Sequence, residues 1–121
     1  MHSDPQVEKI ESASPEELVL LLFEGAVRFG QEASAAIGAG NRTEGEQKVD
    51  RVRAIIRELD ANLNPEAGVI TRHLAAIYDY LLRRLSTPET SVEAIDEVIE
   101  DLQTLAQTWA VVVDRHETTV A

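Results

Sequence analysis

Residues 12–29 read SASPEELVLLLFEGAVRF, and this stretch decides the fold. Ser14 is placed to cap a helix, and Pro15 suits the first helical position, where a missing N–H costs nothing. Glu16 and Glu17 follow in the first turn, where the helix dipole favours negative charge. Then comes a block that is apolar almost all the way round, Leu18 to Phe23. At helical spacing one stripe is Leu18, Leu22, Gly25 and Phe29. A second is Val19, Phe23, Ala26 and Gly30. A surface helix needs one stripe. Two imply a helix buried on several sides, or one that lends a face to a partner.

Working outward, three more segments carry the helical period. The first helix spans about residues 15–39, its second half small-residued (Ala33, Ser34, Ala35, Ala36), and ends at Gly38, Gly40 and Asn41. A second spans about 43–62, with Val49, Val52, Ile56, Leu59 and Leu63 in line and Ile55 beside them. A third spans about 68–85, on Ile70, Leu74, Ile77, Leu81 and Leu85, widened by Tyr78 and Leu82. The fourth spans about 91–116, where Val92, Ile95, Ile99, Leu102, Ala106, Trp109 and Val113 alternate by three and four. No segment alternates at period two between turn signals. The chain is therefore expected to be all-α, an antiparallel up-down four-helix bundle. Its expected divisions are a short flexible N-terminal arm (1–11), the bundle (12–117) and a tail (118–121). Val7 and Ile10 are the arm's apolar anchors.

Composition narrows the chemistry. The 121 residues include no cysteine, which excludes a disulfide framework, a thiolate zinc site and a cysteine nucleophile. The net charge of −11 argues against a nucleic-acid footprint. The charge is uneven: eight of the eleven Lys and Arg fall between Arg42 and Arg84, whereas residues 89–101 are acidic. No stretch approaches the roughly 20 apolar residues of a membrane span. Residues 1–17 show no basic region leading into an apolar run. The default expectation is a soluble cytoplasmic protein without membrane insertion.

Catalytic and metal motifs are scarce. Bundles that hold two metals use Glu-x-x-His pairs, and none occurs here. His2 lies in the arm, His73 beside the third stripe, and His116 in the last turn of the fourth helix. Asp79, between Tyr78 and Tyr80, is the one acid in an apolar neighbourhood, and a solvated carboxylate is the simpler reading. The expectation is a protein that is not an enzyme and holds no metal or cofactor. What remains is apolar surface beyond a narrow stripe, which reads either as a wide bundle core or as a groove for an amphipathic partner helix.

Four stretches carry a family resemblance. SASPEELVLLLFEGAVRF is similar to the opening of the flagellin-specific export chaperone family, FliS: Thr-Ala-Ser/Thr-Pro-x-x-Leu, an apolar block, then Tyr-Asp/Asn-Gly. Residues 36–64 resemble its small-residue turn and a helix ending near Ile-Ile-x-x-Leu. LAAIYDYLLRRL (74–85) resembles its Leu-Tyr-x-Tyr-hydrophobic-hydrophobic-Arg-Arg-Leu. LAQTWAVVV (105–113) resembles its tryptophan-bearing last helix. The departures are Phe23-Glu24-Gly25 in place of Tyr-Asp/Asn-Gly, and an arm without tyrosine.

The resemblance implies a cytosolic chaperone that binds the C-terminal helical segment of new flagellin, blocks premature polymerisation and delivers it to the flagellar type III export apparatus. It implies no nucleotide or metal. Carried onto this chain, it implies a groove on the second and third helices from Val52, Ile55, Ile56, Leu59, Tyr78, Leu81 and Leu82, with Val7 and Ile10 of the arm covering a pocket. Ile55, Tyr78 and Leu82 flank the stripes and are the leading groove residues; Ile56, Leu59 and Leu81 suit the core better. Two other readings stand beside it. One is an acidic adaptor bundle for another amphipathic helix. The other is a structural bundle whose surplus apolar surface closes in a homodimer.

Overall fold

A computed structural model describes the backbone of residues 14–86 and 90–120, and side chains as far as residue 114. Four helices carry the fold: α1 (Pro15–Gly38), α2 (Arg42–Ala61), α3 (Val69–Arg84) and α4 (Val92–Val120). A short 3-10 turn, Pro65–Ala67, precedes α3, and the described residues contain no strand. The all-α expectation holds. The arm with Val7 and Ile10, and residues 87–89, lie outside the described residues. Helix α4 continues past the expected end at His116 to Val120.

The boundaries follow from local chemistry. The Ser14 hydroxyl oxygen accepts from the Glu17 backbone N–H at 3.2 Å, and the hydroxyl donates to the Glu17 carboxylate at 3.1 Å. Asn41 caps α2 the same way, accepting from the Glu44 N–H at 3.3 Å. Ser91 accepts from the Ala94 N–H at 3.1 Å and opens α4. Between α1 and α2 the chain reverses at Gly40, whose φ of 87° is a conformation that suits glycine. Arg53 of α2 finishes α3, donating through Nε and Nη2 to the Leu85 carbonyl at 3.0 and 2.6 Å. A cation at a helix C-terminus is favoured by the dipole.

Each neighbouring pair of helices runs antiparallel. Along α1 and α4, Ser34 meets Asp96 (2.8 Å), Gly30 meets Ile99, and the Glu16 carbonyl accepts from the Trp109 indole N–H at 2.8 Å. Along α1 and α2, Gly25 faces Ile55 and Gly45 faces Ile37. Arg84 of α3 pairs with Glu97 of α4 at 2.6 Å. Helix α1 lies close against α2 and α4, because Gly25, Ala26, Gly30 and Ala33 are buried small residues. Helix α3 stands further off, and larger side chains fill that space. Tyr78 and Leu81 of α3, and Leu85 just after it, reach inward to Phe23, Ile56 and Leu102. Phe23 is central, with ring centroids 6.5 Å from Tyr78 and 6.3 Å from Trp109.

Candidate functional site

The apolar block of α1 divides between core and surface. Phe23 is buried, but Val19, Leu20, Leu21 and Leu22 are half-buried and Leu18 is 37% exposed. The reason is geometric. A helix apolar on nearly every side has more apolar surface than two flanking helices can cover. The uncovered part meets the C-terminal end of α2 and forms a cleft of about 490 Å³, lined by Leu18, Val19, Leu21, Leu22 and Leu59. A second cleft of about 510 Å³ adjoins it across Pro15, Val19, Leu59 and Asn62. It reaches inward to Tyr78, and Leu63, Ile70, Leu74, Trp109 and Val112 form its walls. Ile70 is 65% exposed at this end.

Polar groups are few here. Asn62, Asn64 and Thr71 line the second cleft, and Glu58 edges the first. The Tyr78 hydroxyl is pushed up to about 12, by burial first and by the Asp60 carboxylate second. It stays neutral at physiological pH and is no general base. Among the described residues no group of three or more His, Cys, Asp or Glu could hold a metal ion. Asp79 is an exposed carboxylate paired with Arg83 at 3.1 Å. An apolar pair of clefts with a sparse polar rim is suited to binding by burial and shape.

The residues of the expected groove divide between the core and its boundary. Val52, Ile56, Leu59, Tyr78 and Leu81 are core residues, each 3% exposed or less. Ile55 and Leu82 are half-buried and pack against that core. Tyr78, a leading groove residue by sequence, is 2% exposed, because α3 stands away from its neighbours and an aromatic ring fills the space. Of the seven, Leu59 and Tyr78 do border the open clefts, from below. The residues that sequence reasoning left out are Leu18, Val19, Leu21 and Leu22 on α1, Ile70 and Leu74 on α3, and Trp109 and Val112 on α4. The signal for the first four was present, in the apolar block Leu18 to Phe23.

Fold and clefts together define a class: a small antiparallel helical bundle that leaves apolar surface open at one end. The comparisons with known proteins give the family. A family model described as Flagellar protein FliS matches residues 2–116, and the chain belongs to that family. Flagellar secretion chaperone FliS of Salmonella typhimurium is 33% identical over 102 residues, covering 81% of this chain and 76% of the relative. The Campylobacter jejuni protein of the same name is 31% identical, covering 79% and 77%. That of Bacillus subtilis is 31% identical, covering 66% and 59%. Among the described residues no helix is long and apolar enough to cross a membrane.

Proposed function

We propose that this chain is a flagellar export chaperone that holds the C-terminal helical segment of newly made flagellin in the cytosol until export. The observation that carries the reading is the pair of adjoining apolar clefts between the start of α1 and the ends of α2, α3 and α4. An amphipathic segment can fold onto such a surface, burying area at an ordering cost that keeps release feasible. The arm, residues 1–11, joins the bundle through Ser14 next to Pro15, which lines both clefts. In this reading Val7 and Ile10 cover the clefts in the free chain and give way to cargo. In the same reading Ile55 and Leu82, half-buried against the core, extend the contact.

Calorimetric titration with the C-terminal segment of the same organism's flagellin tests the reading. The expected result is saturable one-to-one binding with a negative heat-capacity change. Leu18→Asp is expected to weaken it by at least about tenfold, as charge enters a desolvated contact. Deleting residues 1–11 is expected to strengthen it. Absence of binding in the wild-type chain would sink the cargo assignment. Unchanged binding in Leu18→Asp would move the cargo elsewhere on the bundle.

A further inference from the structure

The outer face of α3 and α4 holds a second groove, separate from the clefts at the start of α1. It has a volume of about 440 Å³, and His73, Ile77, Tyr80, Asp101 and Leu105 are among the residues that line it. Ile77 and Tyr80 are exposed, at 36% and 41%. From His73 to Tyr80 it runs about 10 Å, two turns of helix. Its upper wall is fixed. The Tyr80 hydroxyl donates to Glu97 at 2.5 Å, and Arg84 donates to the other oxygen of the same carboxylate at 2.9 and 2.6 Å. Asp101 is the one acid among its lining residues. Among the described residues neither Glu100 nor Asp101 makes an ion pair, while Arg84 is taken up by Glu97.

We propose that this groove docks a short cationic amphipathic helix of a partner protein, with apolar residues on Ile77, Tyr80 and Leu105 and a Lys or Arg beside Asp101. Charge decides the occupant. An acidic helix would meet the Asp101 carboxylate. A second copy of the chain would bring a further charge of −11. A cation supplies the counter-charge the groove lacks, and charge complementarity sets partner choice more than raw affinity. The Asp101 carboxyl agrees: it is raised above the usual carboxylate range by burial and by the Glu97 and Glu100 charges. A neighbouring cation reverses that penalty.

The test is an NMR titration of the full ¹⁵N-labelled chain with two helix-forming model peptides. They share one leucine stripe and differ in carrying lysine or glutamate on its flanks. The lysine peptide is expected to shift amides around residues 73–80 and 101–105, and to bind at least about tenfold tighter than the glutamate peptide. Ile77→Gln and Asp101→Lys are expected to weaken it, and Leu18→Asp to leave it unchanged. Asp101→Asn, which keeps the shape, reads the charge effect if the lysine variant disturbs the helices. Equal affinity for both peptides, shifts centred on the start of α1, or wild-type binding by the Asp101 variants would each overturn the proposal. So would concentration-dependent shifts at the same residues without peptide, which would assign the groove to a second copy.

Discussion

Tyr78 shows how one side chain sets both the core and the pH range of this bundle. Its ring packs against Phe23, and its hydroxyl, held neutral by burial and the Asp60 charge, is raised from 10.0 to about 12. A tyrosine whose ionisation is raised on folding contributes stability that is whole below the free-chain value. That stability is lost as pH rises through the folded value. The window is therefore about pH 10 to 12, and the loss across it is about 2–3 kcal/mol. Tyr78→Phe is expected to abolish this alkaline step, read as urea unfolding at pH 9 and pH 11.5. Sequence reasoning put Tyr78 on a partner face, because a residue one step off a heptad stripe can face either core or solvent. The answer depends on how far the helices stand apart, which no single helix encodes.

At the scale of the helix, the boundaries were legible and the surfaces less so. Ser14, Asn41 and Ser91 each cap where a short polar residue precedes a periodic run, and all four helices fall within a few residues of their expected limits. The caps are local chemistry, so the sequence contains them whole. The clefts are not local. They exist because α1 has more apolar surface than α2 and α4 can cover, and because α3 stands off. Small residues explain the closeness of α1, and they yield opposite predictions on one helix. A Cβ on Gly25 would lie 3.7 Å from Ile55, an ordinary contact. Gly25→Ala is expected to stabilise by about 0.5–1 kcal/mol through helix propensity. A Cβ on Gly30 would lie 2.7 Å from the Ile99 Cγ1 atom. Gly30→Ala is expected to destabilise by about 1–3 kcal/mol, since overpacking outweighs propensity. Thermal unfolding of the two variants checks both signs.

Over the whole molecule, charge and apolar surface act against each other. The chain carries 22 acidic and 11 basic residues, with an isoelectric point near 4.6. Leu18, Val69, Ile70 and Val111 remain exposed at neutral pH. A net charge of −11 opposes association there, and that opposition fades as net charge approaches zero. Light scattering is expected to show self-association rising toward pH 4.6, and a Leu18→Asp, Ile70→Asp double variant is expected to reduce it. The uneven charge legible in the sequence has a counterpart in the fold. Lys48 and Arg51 of α2 gather with Arg28 around the Phe29 ring at 5.5, 6.0 and 5.6 Å, while Glu97, Glu100 and Asp101 follow one another on α4.

Trp109 is the only tryptophan in the chain, and it stands in the wall of the deeper cleft with its indole N–H given to the Glu16 carbonyl. Its emission therefore reports on the cleft and on the first turn of α1 that the indole N–H holds. An occupant that strips water from the indole would shift the fluorescence to shorter wavelength, and opening of the first turn of α1 would shift it the other way. The molecule carries its own optical gauge of occupancy, readable without a label at the surface where the chaperone reading places cargo.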